Sequence, residues 1–147
     1  MNQISILTAA DLPLALNIEQ ASHQFPWSAA TLASNQGERY LNLKLSVAGQ
    51  MVGFAICQVV LDEATLFNIA IDPAWQRRGL GAQLLSELIV QLNQRAITTL
   101  WLEVRVSNRA AIALYHQLGF NQVTVRRNYY PATQGREDAW VMALPLG

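Results

Sequence analysis

Trp75-Gln76-Arg77-Arg78-Gly79-Leu80-Gly81-Ala82 decides how this chain is read. Before it stands an apolar run, Ala64 to Ile71, closed by Asp72-Pro73. After it, Leu84, Leu85, Leu88, Ile89 and Leu92 fall on one helical face. The order is strand, turn, two arginines, two glycines, helix. A helix that opens at such a loop presents unpaired backbone N–H groups and the positive end of its dipole. Gly79 and Gly81 let a ligand approach that backbone with no Cβ in the way, and Arg77 and Arg78 add fixed positive charge. Together these features predict a diphosphate site over Arg77, Arg78, Gly79, Leu80, Gly81 and Ala82. Spelling excludes two other phosphate loops. No Lys-Ser or Lys-Thr follows either glycine, as a P-loop requires, and Leu84 stands where a dinucleotide fingerprint needs a third small residue. On this stretch alone a glycine-opened surface helix with solvated arginines stays open.

The chain has 147 residues, enough for one domain that buries about 68–70% of its unfolded surface. We find no internal repeat, low-complexity tract or linker, so residues 1–147 are expected to form a single domain. Hydrophobic residues make up 52% and charged residues 14%, yet no apolar run approaches the ~18 residues of a membrane span. Ten basic and ten acidic residues cancel. A global pull on nucleic acid is therefore not expected, and an acidic ligand must be held locally. Cys57 is the only cysteine, which excludes an internal disulfide and fits a reducing compartment. Met1-Asn2-Gln3-Ile4 lacks the blocks of a signal peptide, and His23, His116 and Cys57 show no metal-ligand spacing. The expectation is a cytoplasmic enzyme with no metal and no membrane or nucleic-acid partner.

Outward from the central loop, Thr8 with Asp11 starts a helix to Ser22, and Ser28 caps a second to about Gln36. Phe25-Pro26-Trp27 between them reads equally as a plug over the core or as the lining of a substrate groove. Leu41, Leu43, Leu45 and Val47 alternate with Asn42, Lys44 and Ser46, a half-exposed strand. Gly49-Gln50 is read as the hairpin turn into Met51 to Leu61, and Asp62-Glu63 as the turn into Ala64 to Ile71. Cys57, among Ala55, Ile56, Val59 and Val60, reads as a buried small hydrophobe rather than a nucleophile. Beyond the central helix, which ends near Arg95, Thr99 to Val106 is a strand. Its Leu100, Leu102, Val104 and Val106 face one way, and Trp101, Glu103 and Arg105 the other. Ser107-Asn108 caps a helix from Arg109 to Leu118, closed by Gly119. Phe120 to Arg127 and Ala139 to Leu144 are strands, with Asn128 to Asp138 expected as a loop. The order β-α-α-β-β-β-α-β-α-β-β is that of a mixed α/β domain.

The central loop also spells Arg/Gln-x-x-Gly-x-Gly/Ala, from Gln76 to Gly81 or one step later to Ala82. In this it resembles the coenzyme A pyrophosphate loop of the GNAT N-acetyltransferases, and the order of elements extends the resemblance to nearly the whole chain. The match is close over Leu66-Phe67-Asn68-Ile69-Ala70 and Trp101-Leu102-Glu103-Val104-Arg105. It is close again over Ser107-Asn108, Ala110 to Tyr115, Leu118-Gly119-Phe120 and Arg126-Arg127-Asn128-Tyr129-Tyr130-Pro131. These segments are similar to the branch of that family that acetylates the N-terminal alanine of ribosomal proteins.

The resemblance implies an α/β fold with a central mixed, mostly antiparallel sheet, splayed between strands 4 and 5 and flanked by helices. It implies acetyl-CoA as co-substrate, its diphosphate at Arg77 to Ala82 and its pantetheine arm along Ile69, Ala70 and Ile71, with backbone groups of Ile69 and Ile71 pairing to it. The residue matching Asn108 contacts coenzyme A. Glu103 is then the base, Tyr115 the acid, and the substrate the N-terminal alanine of the eighteenth small-subunit ribosomal protein.

The chemistry suits those residues. An α-amino group has a pKa of about 7.7–8.0 and a lysine about 10.4, so a carboxylate that takes the proton removes an obstacle to attack. Backbone N–H groups can stabilise the oxyanion, and a phenol can protonate the departing thiolate. Two rivals stay open: a lysine or small-amine acetyltransferase of the same family, and a non-catalytic acyl-CoA-binding module. Glu38, Glu63, Glu137 and Asp138 are candidates for attracting a basic substrate terminus.

Overall fold

Asp11 Oδ2 accepts hydrogen bonds from Thr8 N (2.7 Å) and Thr8 Oγ1 (3.0 Å), which turns the chain out of strand β1 (Asn2–Ile6). A 3₁₀ turn over Ala9–Asp11 then leads into α1 (Leu12–Ser22), with Pro13 in its first turn. Such local signals hold along the whole chain in the computed structural model, which describes residues 1–147. Ser28 Oγ accepts from Thr31 N (3.1 Å) to open α2 (Ala29–Ser34). The elements that follow are β2 (Leu43–Val47), β3 (Gln50–Val60), β4 (Glu63–Ile71), α3 (Leu80–Gln94), β5 (Thr99–Arg105), α4 (Arg109–Gln117), β6 (Asn121–Pro131) and β7 (Arg136–Pro145).

The seven strands form one sheet in the order β1-β2-β3-β4-β5-β7-β6. Every pair is antiparallel except β4 and β5, which run parallel through the crossover helix α3. This is the expected mixed, mostly antiparallel sheet with helices on both faces. Alternation along β3 shows why its apolar run is unbroken. Ala55 and Cys57 face the large core that takes Leu84, Leu85, Leu88 and Leu92 from α3. Phe54 and Ile56 face the smaller core under Ala15, Ile18 and Leu32. A strand covered on both faces has no solvent side on which to place polar residues.

Two features of β4 position everything functional. Its ladder with β5 covers only Glu63↔Thr99 to Leu66↔Leu102, after which the strands part. At that level the ladder with β3 jumps from Cys57↔Leu66 to Ile56↔Asn68, leaving Phe67 unpaired. An extra residue of this kind bends a strand and increases its twist. It also exchanges faces. Ala64 and Leu66 point into the core under α3 before the bulge, and Ile69 and Ile71 do so after it.

Three sequence expectations are corrected. The hairpin turns lie one residue earlier than read. Ala48 and Gly49 (φ 51° and 83°) join β2 to β3, and Leu61-Asp62 joins β3 to β4 with Leu61 at φ 56°. A two-residue turn of this sort needs left-handed backbone, which Gly49 advertises and Ala48 and Leu61 conceal. Asn42 lies buried rather than on an exposed strand face. Its amide is fully used, donating to Asn35 O (2.9 Å) and Gln36 Oε1 (3.2 Å) and accepting from Cys57 N (3.0 Å).

Finally, Asn128 to Asp138 is not a loop. β6 continues to Pro131 and β7 begins at Arg136, pairing Tyr130↔Glu137 and Pro131↔Arg136. A bulge at Asn128 (φ 53°) absorbs the irregularity, with Asp138 Oδ1 accepting from Asn128 N (2.9 Å). Arg136 bonds the Asn128 and Tyr129 carbonyls across the hairpin at 2.8 and 2.7 Å.

Candidate active site

The parting of β4 from β5 leaves one edge of β4 without a strand. Asp72 N donates to Val52 O on β3 (2.7 Å). Backbone groups of successive strand residues point to opposite edges, so those of Ile69 and Ile71 face the side that β5 has left. Ala70, between them, pairs with Phe54 on β3 and is buried. The Ile71 carbonyl accepts from Gln76 Nε2 (2.9 Å), which ties the end of β4 to the loop that follows.

That loop turns sharply through Arg77 (φ 64°) and Gly79 (φ 76°) into α3. Leu80 is buried beneath it, while Arg77 and Arg78 are exposed and the Arg78 guanidinium lies 4.8 Å over the Trp75 ring. Gly79 serves a conformational purpose: no atom would touch a Cβ there, but its φ excludes most side chains. Gly81 has no such need. A Cβ there would meet only Ile71 Cγ1 at 3.9 Å, so its value lies in the open space beside the first N–H groups of α3. Asn108 plays a similar opening part for α4, where its Oδ1 accepts from Ala111 N (3.2 Å).

Between the two strands opens a cleft of about 540 Å³. Ile69 lines it from β4, Glu103 and Arg105 from β5, Asn108 and Tyr115 from the start and body of α4, and Tyr130 from β6. Glu103, Tyr115, Asn108 and Ile69, expected on sequence to meet, therefore share one cavity. Arg77 to Ala82 do not line it; they lie beyond the far end of β4.

Glu103 Oε2 is shielded from solvent and has no hydrogen-bond partner, although Arg126 Nε stands 2.5 Å away. The pair has the distance of an ion pair without the alignment of a hydrogen bond. Tyr115 is buried against Phe120, ring centroids 5.6 Å apart, and burial pushes its phenol up to about 12. Tyr129 and Tyr130 are raised as well, first by burial and then by the Glu103 carboxylate. Three phenols thus stay protonated here at neutral pH. Cys57 lies apart, fully buried, its thiol pushed up to about 12 by burial.

Several residues at the cleft were not singled out from sequence. Glu19 on α1 is 1% exposed, accepting from Trp27 N (2.9 Å) and from Asn68 Nδ2 (2.9 Å), with His23 Nε2 at 3.4 Å. It fixes the Phe25–Trp27 segment against β4. The plug reading of that segment matches Trp27, which packs on the smaller core, and Phe25 and Trp27 also line the cleft. A readable signal existed, because Glu19 falls four residues after Ala15 on the apolar face of α1. The acidic candidates are largely engaged within the protein: Glu63 accepts from Trp101 Nε1 (2.9 Å), Asp138 from Asn128 N (2.9 Å) and Glu137 from Arg105 Nη1 (3.0 Å). No group of three or more His, Cys, Asp or Glu residues is placed to share a metal ion, and no helix is long and apolar enough to cross a membrane.

A family model described as the acetyltransferase (GNAT) family matches residues 5–120. The ribosomal protein bS18-alanine N-acetyltransferase of Escherichia coli (strain K12) is 66% identical over 146 residues, 99% of this chain and 99% of that one. The protein of the same name from Haemophilus influenzae is 57% identical over 147 residues, 99% of this chain and 100% of that one. A crystal structure of the Escherichia coli ribosomal-protein-alanine acetyltransferase superposes with a TM-score of 0.98 at 65% identity, covering 100% of this chain and 95% of that one. An Ard1 protein from Thermoplasma volcanium, 24% identical with a TM-score of 0.88 over 99% of this chain and 98% of that one, shares the fold.

Proposed function

This chain belongs to the acetyltransferase (GNAT) family, and from that premise we propose that it transfers an acetyl group from acetyl-CoA to the N-terminal alanine of ribosomal protein bS18. The observation that carries the reading is the placement of Glu103 and Tyr115 in one cleft, at the level where β4 leaves β5. The close relatives that act on bS18 supply the substrate. We place the work in the cytoplasm, where ribosomal proteins are made, with residues 1–147 acting as one catalytic domain.

The residues present fit acetyl-CoA. A strand edge with no neighbouring strand at Ile69 and Ile71, its Ile71 carbonyl held by Gln76, suits an amide-bearing arm, and the open helix start at Leu80, Gly81 and Ala82, flanked by Arg77 and Arg78, suits a diphosphate. Asn108, at the cleft and opening α4, is the remaining coenzyme contact. Acetyl-CoA supplies an activated acyl thioester. Glu103 takes a proton from the incoming ammonium, directly or through water, while Arg126 holds its Oε2 in an ion pair. Burial pushes the Tyr115 phenol up to about 12, so it is protonated near neutral pH and donates to the departing sulfur. The acyl group passes straight to the amine with both substrates bound; Cys57 takes no part.

The test uses acetyl-CoA and two peptides. One begins with free alanine and has no lysine; the other has a blocked terminus and one lysine. Mass spectrometry should place one acetyl group on the alanine nitrogen and little on the lysine. Equal rates on both would replace this reading with a general amine acetyltransferase, and no transfer to either would leave a binding module.

A further inference from the structure

Beyond the base and the acid, we propose that Arg105 is a positioning residue for the acceptor peptide, strapping the segment between α1 and α2 to the β6–β7 hairpin across the mouth of the cleft. The inference rests on the reading of that cleft as the acceptor site. Its guanidinium lies 4.8 Å from the Phe25 ring centroid and 4.4 Å from that of Tyr130, so it is held between one aromatic from each side. Nη1 donates to the Pro131 carbonyl (2.5 Å) and to Glu137 Oε1 (3.0 Å), fixing the head of the side chain to the hairpin. Glu137 is held in turn: Oε2 accepts from Ser107 N (3.3 Å), and Ser107 and Arg105 keep its carboxyl below the usual range. A second tether, Gln24 Nε2 to Thr133 Oγ1 (2.9 Å), joins the same two segments.

Arg105 follows Glu103 by two residues on β5 and shares its face. One strand thus carries both the base and the strap, which fixes the distance from the chemistry to the mouth. Only arginine meets these demands together. Its planar group stacks on two rings while its N–H groups bond in the plane, whereas a lysine ammonium is a compact, strongly hydrated point charge. Two segments held in place before the acceptor arrives need not be ordered when it binds, so the strap acts on acceptor affinity. The coenzyme side is made chiefly by β4 and α3; its remaining contact, Asn108, meets Arg105 through the backbone, Asn108 N donating to Arg105 O (3.0 Å), a bond that side-chain substitutions leave in place.

Steady-state kinetics on the alanine peptide with R105M, R105K and F25A test this. F25A opens the same sandwich from the other side should a substitution within the sheet fail to fold. The Michaelis constant for the peptide should rise roughly tenfold, the scale of losing a partly buried cation–π contact, while kcat and the Michaelis constant for acetyl-CoA stay close to wild type. R105K should not rescue. Hydrogen exchange on the free proteins gives an arm independent of any substrate, in which amides at 23–27 and 131–136 should exchange faster in each variant and those of β4 and α3 should not. Unchanged exchange in those segments overturns the strap, as does a loss that falls on kcat or equally on acetyl-CoA. A wild-type protein that ignores the alanine peptide, yet shows the exchange change in its variants, would keep the strap and remove the assigned acceptor.

Discussion

As far as Leu66 and Leu102, β4 and β5 are equivalent: parallel neighbours, each presenting alternate side chains to the core under α3. Beyond that level they part. β4 turns a bare backbone edge toward the gap and leads into a loop whose assets are N–H groups and empty space. β5 turns side chains toward it: Glu103, Arg105 and, from the helix that follows, Tyr115. A backbone edge tolerates most substitutions and fails where a side chain intrudes or a turn cannot form. A side-chain site fails with a single atom. The two halves should therefore break differently.

The largest effect is expected on the β5 side. Glu103→Gln changes one atom, yet should lower kcat by about 10²–10⁴, the range for a positioned acid–base group, with coenzyme A affinity unchanged by calorimetry. An intact kcat would remove Glu103 as the base. Tyr115→Phe comes next, at about 10²-fold in kcat, and its loss should shrink with an acyl donor whose thiol leaves more easily, whereas that of Glu103→Gln should not. With the phenol raised to about 12 by burial, no alkaline limb of kcat should come from Tyr115 below that pH. The sign for stability follows. An unfolded tyrosine ionises near 10, so the contribution of buried Tyr115 is whole below pH 10 and is lost as pH rises from there to about 12. Urea melts across that window should show a decline that Tyr115→Phe flattens.

On the β4 side the informative pair is Gly79 and Gly81. Gly81→Asp should weaken coenzyme A binding about tenfold or more by placing bulk and negative charge at a helix N-terminus, without harming the fold, because the space is open. Gly79→Ala should show the reverse pattern: about 1–2 kcal/mol of stability lost to the left-handed backbone, seen in thermal melts, with binding reduced only as the turn distorts. If the two variants behave alike, the division between ligand space and chain geometry is wrong. The smallest effect is reserved for Cys57→Ala. Activity should persist near wild type and no acetyl-protein should form with acetyl-CoA alone, at a stability cost of about 1 kcal/mol for a small buried side chain.

The two halves were also unequally legible. Loop chemistry is local, so Asp72-Pro73, the arginines, the glycines and the leucines of α3 reveal the β4 side within twenty residues. Glu103 and Tyr115 are twelve residues apart, and only a family resemblance gave them roles; the fold then put them in one cavity. Arg105 and Tyr130 could not be read because their meaning lies in partners far along the chain, Phe25 for Arg105; Glu19 showed its burial by its place on the apolar face of α1, but not its partner, Asn68. The hairpin over Tyr129 and Tyr130 escapes for another reason. Asn, Pro and Gly announce a loop, and what overrides them is an equally short-range ladder, Tyr130↔Glu137 and Pro131↔Arg136, with two bonds from Arg136 to the Asn128 and Tyr129 carbonyls that no residue type advertises.

Phe67, the residue on β4 without a partner, makes the site a matter of parity. Odd and even positions exchange roles at that residue, so Asn68 can reach Glu19 on one side while Ile69 and Ile71 stay in the core on the other. Substituting Phe67 changes a side chain; deleting it changes the count. With one residue fewer, β4 could zip evenly along β3: Leu66↔Cys57 would be followed directly by Asn68↔Ile56, and Asn68 and Ile69 would keep the faces they have. What would go is the extra residue that bends and twists the strand at the level where β4 leaves β5. A lineage carrying this fold can exchange almost any letter along β4, but losing this one would straighten the strand beside the cleft.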